Sequence, residues 1–377
     1  MENNKYLLYG DKTECNGCTA CIQRCPKKCI DMKEDKEGFL YPEINKNICI
    51  NCRVCYSSCS NMARKNEYEN KVYACVNKNE GIVNVSSSGG MFTLFAQYIL
   101  KRDGIVYGAR LNEKLEVEHT RVKSIDRLNE VQKSKYSQSS LDNIFKQVEG
   151  DLRNGKYVLF TGTPCQCKGL VDFLKKDYAS LLVVDIICHA VPSPKVLRKY
   201  IYSLEYKFNK KVINVKFRDK SKGWHYSIPT FYFDDGSAFA GESYANGFHG
   251  ELINRPSCYK CKFSGEQRFT DITIGDFWGI ENLNLNIGQG NGVSLMSVNS
   301  EYGNKIFEIL KQEINYIEVD RKTAFNMNRK AQIQPHINRK KFFKLIDDID
   351  LELLLKKCIN VNIFQKIRRK LRNMMKH

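Results

Sequence analysis

Two matching quartets of cysteines near the start of the chain constrain its fold more than any other feature. Each quartet has two, two and three residues between its members, and the second repeats the first 34 residues later: Cys15, Cys18, Cys21 and Cys25, then Cys49, Cys52, Cys55 and Cys59. Two residues between cysteines let one loop wrap three thiolates around a single iron–sulfur cube, and the fourth ligand must come from elsewhere. The repeat therefore predicts a pair of [4Fe–4S] sites.

This spacing is that of two-cluster ferredoxins, in which the fourth cysteine of each run serves the other cluster. The expected ligand sets are therefore crossed: Cys15, Cys18, Cys21 and Cys59 for one cluster, and Cys49, Cys52, Cys55 and Cys25 for the other. Pro26 follows the first quartet as in bacterial ferredoxins, whereas Ser60 stands at the matching place after the second. Zinc and disulfides are the alternatives. Zinc sites usually have a longer gap between two Cys-x2-Cys pairs, so the repeat favours iron.

The composition bears on location and partners. Met1 to Glu14 contains no apolar stretch long enough for a signal peptide, and no run approaches the roughly 18 apolar residues of a spanning helix. We therefore expect a cytoplasmic protein, in which a total of sixteen cysteines indicates metal binding rather than disulfides. The formal charge is +18, which becomes about +14 with two clusters and about +12 with three. A basic surface attracts nucleic acid, anionic lipid or acidic proteins.

Strand and helix patterns alternate after the cysteine-rich segment. Strands are predicted at Gly104–Leu111, Tyr157–Phe160 and Leu181–Cys188, with a helix over Gln166–Lys176, which favours an α/β core. Alternation from Val212 to Phe239 adds antiparallel strands, so we expect a mixed sheet. The predicted fold class is α+β / α/β, with a bacterial-ferredoxin-like dicluster domain before a larger mixed-sheet domain. The expected divisions are residues 1–64 for the dicluster domain, 65–84 for a linker, 85–300 for the larger domain, and 301–377 for a helical region with a basic amphipathic tail.

Four further cysteines lie near predicted strand ends or in a pair. Cys165 and Cys188 each follow a strand, and Cys258 and Cys261 form a Cys-x2-Cys pair. Because the carboxyl ends of strands in an α/β sheet converge on one crevice, the four could meet as a third [4Fe–4S] site. A zinc site and unligated thiols stay open as alternatives. The other cysteines are expected to be lone thiols: Cys29, Cys75, Cys167 and Cys358.

A serine- and glycine-rich turn, Ser86–Gly90, precedes the apolar-periodic run Met91–Leu100. Such a turn offers backbone N–H groups and the positive end of a helix dipole to a pyrophosphate, and Lys135 could add a charge. An ordinary helix cap is the alternative.

Several segments, taken in order, resemble the coenzyme F-420 (deazaflavin) hydrogenase/dehydrogenase beta-subunit family, here fused to a dicluster ferredoxin. They are Ser86–Gly90, Lys133–Ser139, Phe160–Gln166, Cys188–Ser193, Cys258-x2-Cys261 and Asp271–Gly279. Arg218 and Trp224 lie in segments that are also similar to the family, without a role that we can assign. The resemblance covers nearly the whole chain up to about residue 300.

The resemblance implies a flavoprotein that binds FAD and passes electrons between a hydride carrier and iron–sulfur clusters, and it favours iron–sulfur at the four further cysteines. The larger domain would then be the flavin-binding domain, with Asp276, Phe277 and Trp278 as candidates for lining a ring pocket and no catalytic residue assigned. The expected FAD site is Ser87, Ser88, Gly89, Gly90, Lys135, Tyr136, Gly162 and Thr163. The hydride partner would be a deazaflavin coenzyme or a sugar-linked substrate of polysaccharide biosynthesis.

Two other functions stay open at this point. One is an electron-relay subunit without a substrate site. The other is a basic protein with structural clusters that contacts a membrane surface or nucleic acid. Contact with a membrane would be made by the tail Phe364–His377 at the inner membrane face. We expect an acidic redox carrier such as ferredoxin, or a partner oxidoreductase subunit, to be the physiological partner, and we do not expect nucleic acid.

Overall fold

The computed structural model describes residues 10–59, 68–266, 268–288, 290–328 and 333–359. The strands are β1 (Ile30–Glu34), β2 (Leu40–Ile44), β3 (Lys71–Asn77), β4 (Ile105–Leu111), β5 (Val117–Val122), β6 (Val158–Gly162), β7 (Leu181–Ile186), β8 (Val212–Lys216), β9 (Thr230–Phe233), β10 (Ala238–Ala240), β11 (Ile272–Asp276), β12 (Ser294–Val298) and β13 (Ile314–Val319). The helices are α1 (Ala20–Arg24), α2 (Val54–Ser57), α3 (Glu80–Val85), α4 (Met91–Leu100), α5 (Ile144–Arg153), α6 (Pro164–Leu174), α7 (Pro194–Phe208), α8 (Glu242–His249), α9 (Glu301–Leu310), α10 (Arg321–Asn328), α11 (Arg339–Leu345) and α12 (Leu351–Ile359). The basic tail from Phe364 lies outside the described residues.

The cysteine repeat is also a repeat of backbone conformation. Helices α1 and α2 are single short turns that carry the third cysteine of each quartet, and they pack against each other. The residues that precede them, Thr19 and Arg53, are again 34 positions apart (53 − 19), and both have a left-handed backbone, with φ of 62° and 58°. Strands β1 and β2 form an antiparallel hairpin between the two helices in sequence.

Within the described residues, the largest sheet has eight strands in the order β13-β3-β12-β11-β7-β6-β4-β5. Strands β4, β6, β7 and β11 are parallel neighbours, and β3 runs in the same direction because β12 lies antiparallel between β3 and β11. The carboxyl ends of these five strands therefore share one edge of the sheet, which we call the carboxyl edge. The predicted mixed α/β sheet is confirmed.

Two expectations about this sheet are wrong in detail. The antiparallel strands between Val212 and Phe239 form a separate three-stranded sheet, β10-β9-β8, and the large sheet is mixed because of β5, β12 and β13 instead. The predicted linker over 65–84 contains strand β3, which pairs with β12 and β13 inside the sheet. Its run Val72–Val76 is buried, as expected for a central strand with apolar side chains on both faces. Because β13 pairs with β3, the sheet also extends beyond residue 300.

The other predicted elements are present with ends shifted by one or a few residues. Strands β4, β6 and β7 and helix α6 match the patterns that indicated them, and α4 has the predicted bounds. In the described part of the expected helical region 301–377, helices α9 to α12 are present together with strand β13.

The cysteine-rich part is packed directly on the large domain. At Gly169, in α6, an added Cβ would lie 2.8 Å from the Cβ of Cys18, so the helix can approach the first cysteine loop this closely only because position 169 has no side chain. The side chain of Gln23 in α1 accepts hydrogen bonds from the backbone N–H groups of Phe145 (2.9 Å) and Lys146 (3.2 Å). These contacts fix the first cysteine quartet against helices α5 and α6.

Candidate redox site

Four cysteines line the first of two open cavities in the N-terminal part. The empty space here, including adjoining open solvent, is about 460 Å³, and the cysteines that line it are Cys15, Cys18, Cys21 and Cys59. Burial, followed by the neighbouring thiols of Cys18, Cys15 and Cys59, raises the pKa of Cys21 well above its ordinary value. Thiols that oppose each other's ionisation in this way need a positive charge among them before all four can be thiolates. The chemistry of the set therefore fits a metal cluster.

The second cavity, of about 330 Å³, is lined by the complementary set of Cys25, Cys49, Cys52 and Cys55. Each cavity thus combines three cysteines of one run with the last cysteine of the other, which is the crossed grouping expected from the sequence. In the described ranges, no three His, Cys, Asp or Glu side chains are arranged to hold a single metal ion. That the two sets hold [4Fe–4S] clusters stays a prediction.

Cys29, expected to be a lone thiol, also lines the second cavity. Its Sγ lies 3.4 Å from the Sγ of Cys25, and its backbone N–H donates to the same sulfur at 3.5 Å. Burial alone would raise the pKa of Cys25, but these hydrogen bonds lower it. Burial and the neighbouring Cys25 raise the pKa of Cys29 to about 12. Because a ligand must be a thiolate, Cys25 is the better fourth ligand, and Cys29 supports it. The only sequence signal was its position four residues after Cys25.

The remaining four candidate ligands meet at the carboxyl edge. Cys165 lies in the first turn of α6 after β6, Cys188 follows β7, and Cys258 and Cys261 lie in and just after a short 3-10 turn. Burial raises the pKa of Cys188 well above its ordinary value, and the thiols of Cys258, Cys165 and Cys261 add to the shift. We call these four residues the edge cysteine set. The convergence predicted from strand order is thus seen in the structure, while the identity of any bound group stays a prediction.

A cluster of charged and aromatic side chains lies further along the same edge. We call Arg218, Lys220, Trp224, Asp276 and Trp278 the Arg218 cluster. Arg218 is ion-paired with Asp276 and donates to the carbonyl of Trp224 at 2.5 Å, and the indole of Trp224 donates to Asp276 at 3.0 Å. The two indole rings are stacked with centroids 5.3 Å apart. Sequence reasoning had assigned no role to Arg218 and Trp224 and had not singled out Lys220.

Lys220 joins this cluster to the serine-rich turn. Its Nζ donates to the carbonyls of Val83 (2.7 Å) and Ser88 (3.1 Å). Burial and the positive charge of Arg218 lower the pKa of Lys220 to about 8; Asp276 opposes this shift, and Lys133 adds to it. Three cations and one carboxylate therefore lie within electrostatic range of one another beside Ser86–Gly90. An anionic group bound there would relieve the repulsion between the cations.

The predicted FAD residues are divided between two places. Ser88 Oγ donates to the carbonyl of Val293 at 2.8 Å, and the N–H of Gly89 donates to Ser294 Oγ at 3.0 Å, so both fasten the turn to the start of β12. Gly90 precedes α4 with φ of 90° and, in this described region, no side chain caps the helix, so the ordinary serine cap is not what the turn provides.

Ser87, Tyr136 and Lys135, which are also predicted FAD residues, make contacts with the loop that contains Ser134. Ser87 Oγ accepts from the N–H of Ser134 at 3.1 Å, and Ser134 and Arg218 both contact the hydroxyl of Tyr136. Lys135 instead points its amine at three carbonyls of its own loop, the nearest that of Gln132 at 2.5 Å. Burial and the charge of Lys133 lower the pKa of Lys135 to about 7.

Gly162 and Thr163 lie beside the edge cysteine set. Thr163 Oγ1 is 3.2 Å from the Sγ of Cys165, and Thr163 forms a capping box with Gln166 at the start of α6. His189, in the segment after Cys188, places Nε2 2.7 Å from a carboxylate oxygen of Glu251. These residues build the loops around the edge cysteine set.

Part of the larger domain matches a known protein family. Residues 155–323 match the family described as the C terminus of the beta subunit of Coenzyme F420 hydrogenase/dehydrogenase, which confirms the resemblance over that segment and supports a role as part of an oxidoreductase. Among solved structures, a chain of the F420-reducing [NiFe] hydrogenase complex from Methanosarcina barkeri has a TM-score of 0.44 and 17% sequence identity, covering 82% of this chain and 95% of that chain. No curated protein matches the chain. In the described residues, no helix is long and apolar enough to cross a membrane.

Proposed function

We propose that this chain is an iron–sulfur flavoprotein oxidoreductase that passes electrons between [4Fe–4S] clusters and a flavin-linked hydride carrier. The observation that carries the proposal is the order of the candidate sites. The second cavity adjoins the first through α1 and α2, and the thiol of Cys18 in the first cavity acts electrostatically on Cys165 of the edge cysteine set. The Arg218 cluster follows on the neighbouring strand, since Asp276 ends β11 and Cys188 follows β7, its parallel partner.

Such a series fits a conversion between one-electron and two-electron carriers. Clusters accept single electrons, hydride carriers deliver two, and a flavin between them can do both. In this proposal the two crossed cysteine sets hold two [4Fe–4S] clusters, and the edge cysteine set holds a third. The third site is proposed as iron–sulfur rather than zinc because it lies between the first cavity and the Arg218 cluster, where only a redox-active group would extend the path.

The proposed flavin is FAD, with its phosphates at the Ser86–Gly90 turn. Support comes from the positive charges of Lys220, Arg218 and Lys133 beside the turn and from Ser87, which contacts Ser134 rather than capping the helix. Lys220 takes the role expected of Lys135, because the amine of Lys220 contacts the turn itself at the carbonyl of Ser88, whereas the amine of Lys135 is bonded to carbonyls of its own loop. The N–H groups at the start of α4 and the positive end of its dipole add to the attraction for phosphate.

The proposed hydride carrier is a deazaflavin coenzyme, which the matched family is described as serving. A sugar-linked substrate of polysaccharide biosynthesis is the second candidate. The basic net charge of +18 suits an anionic coenzyme. It also suits an acidic source of electrons, either a redox carrier such as ferredoxin or an acidic face of a partner oxidoreductase subunit.

The first experiment is to purify the protein without oxygen and to measure iron, acid-labile sulfide, zinc and extracted flavin per chain. We expect about twelve irons and one FAD. About eight irons with zinc and no flavin would contradict the flavoenzyme and leave a ferredoxin fused to a binding domain. Turnover of a deazaflavin by the isolated chain with a viologen as electron partner separates an enzyme from a relay subunit.

A matched pair of variants tests the third cluster. Cys165→Ala should lower the iron content by about four atoms per chain. Cys167→Ala is the control, because this cysteine lies in the same helix but is buried, with its thiol directed at the carbonyl of Val184 at 3.7 Å. Equal iron in both variants and the wild type would show that Cys165 binds no cluster.

A further inference from the structure

Arg255 is a completely buried guanidinium between the first cavity and the edge cysteine set. Its Nε donates to the carbonyl of Cys15 at 3.0 Å, and its Nη2 donates to the carbonyl of Leu40 at 2.9 Å and lies 3.9 Å from the Sγ of Cys15. Its Nη1 donates to the side-chain oxygen of Gln138 at 2.8 Å. The guanidinium also stacks over the ring of Tyr41, 4.4 Å from the centroid.

None of these hydrogen-bond partners carries a formal negative charge while Cys15 is a thiol. A buried charge without a counter-charge is costly, and an arginine cannot escape the cost by losing its proton. The sulfur of Cys15, 3.9 Å from Nη2, becomes negative when it ligates a cluster. Cys258 and Cys165 of the edge cysteine set lie within electrostatic range of the same guanidinium, so the cysteine sites on its two sides can supply the counter-charge.

The backbone of Arg255 is hydrogen-bonded to the segments that carry the edge cysteine set, while its side chain is bonded to Cys15. Its N–H donates to the carbonyl of Val191 at 3.0 Å, in the segment that begins at Cys188, and its carbonyl accepts from the N–H of Cys258 at 3.0 Å. One residue thus sets the distance between a ligand of the first cavity and two ligands of the edge cysteine set.

We propose that Arg255 stabilises an added electron on the clusters at both sites and so makes the first cavity and the edge cysteine set an energetically matched pair. This inference rests on the proposed function. A four-thiolate [4Fe–4S] cluster carries about −2, and about −3 after it accepts one electron from a donor, with no bond broken and no proton taken up. A fixed positive charge at short range in a dry interior favours the reduced state of each cluster and offsets the repulsion between them.

Four variants separate charge from packing. Arg255→Gln removes the charge, and Arg255→Lys keeps the charge without the planar fork. Gln138→Glu places a carboxylate beside the guanidinium and gives up the hydrogen bond from Gln138 Nε2 to the carbonyl of Asn16. Lys262→Gln is the matched control. It removes the same charge next to Cys261, but its amine is solvent-exposed and paired with Glu14 at 2.9 Å, where water screens it.

The measurement is a reductive titration of each variant, in which electron paramagnetic resonance counts the reduced clusters at fixed ambient potentials. We expect Arg255→Gln and Gln138→Glu to lower the ratio of reduced to oxidised cluster at least tenfold for the two clusters flanking Arg255, equivalent to about 59 mV for one electron. Lys262→Gln should change it less than about twofold, and Arg255→Lys should stay close to the wild type.

The outcomes distinguish this inference from the proposed function. A wild-type chain that binds no iron at these cysteines would overturn both. A chain with full iron content whose Arg255→Gln and Gln138→Glu forms titrate like Lys262→Gln would overturn this inference alone, because Arg255 would then act only in packing. Should Arg255→Gln fail to keep its clusters, the Gln138→Glu titration decides the question.

Discussion

The crossed ligand assignment can be tested by removing one cysteine from each run in different combinations. Cys59 lines the first cavity although it belongs to the second run of the sequence. If that grouping is right, Cys15→Ala and Cys59→Ala damage the same cluster, and the double variant keeps the second N-terminal cluster and the proposed edge cluster. Cys49→Ala with Cys59→Ala damages both N-terminal clusters instead, because each cavity then has only three thiolates.

The expected magnitudes follow from four irons per cube. Of about twelve irons and three reducible cubes, the same-cavity double variant should keep about eight irons and two cubes. The opposite-cavity variant should keep a single intact cube, with any three-iron remnant recognisable by its own resonance signal. Alanine is used because serine can still coordinate iron. The opposite result would be that the Cys15→Ala, Cys59→Ala variant loses two clusters and the Cys49→Ala, Cys59→Ala variant loses only one. In that case each run holds its own cluster, and the crossed assignment is refuted.

Three further predictions concern single positions. Cys29→Ala should keep the wild-type iron content whereas Cys25→Ala should not, as measured by iron and sulfide analysis, because Cys25 is the thiol that ionises more readily; equal loss would show that both are needed. Lys220→Met should weaken FAD binding at least about tenfold in a fluorescence titration, and Lys135→Met is the control. The affinity of the wild type for FAD should also fall as the pH rises through about 8, because Lys220 then loses its charge. Unchanged affinity would place the phosphates elsewhere. Asp185→Ala should lower the free energy of unfolding by about 3–5 kcal/mol in urea denaturation, because it leaves a buried arginine unpaired, and a loss below about 1 kcal/mol would contradict that view.

The sequence predicts the cysteine grouping well because ligand spacing is a local property. Three cysteines at intervals of three residues can surround one centre whatever the rest of the chain does, and the repeat supplies the missing partner. The edge cysteine set was also predictable, since Cys165 and Cys188 each follow a buried strand and parallel strands end at one edge.

The sequence fails where a role depends on distant packing. Strand β3 is flanked by polar residues, so its segment resembles a linker until its pairing with β12 and β13 is known. Arg255 precedes a Cys-x2-Cys pair and looks like any surface arginine, because its contacts with Cys15 and Leu40 span more than 200 residues of chain. Lys135 was proposed for the phosphates and Lys220 was not considered, because sequence spacing does not show the direction of a side chain within a loop.

Electron transfer between the N-terminal clusters and the large domain requires that the two stay close, and the structure supplies contacts for this on both sides of the cysteine-rich part. On one side, Gly169 lets α6 approach within contact of Cys18. On the other, Arg339 forms an ion pair with Glu37, and Ser193 Oγ donates to the carbonyl of Glu37 at 2.5 Å. A ferredoxin domain on a flexible tether would need none of these contacts, because it would deliver electrons by diffusing between partners. In the proposed function, a cysteine-rich part fixed at two faces, with a buried arginine between its first cavity and the edge cysteine set, would conduct electrons within one chain. The second cavity, whose Cys52 is exposed, would then be the site where an external redox carrier binds.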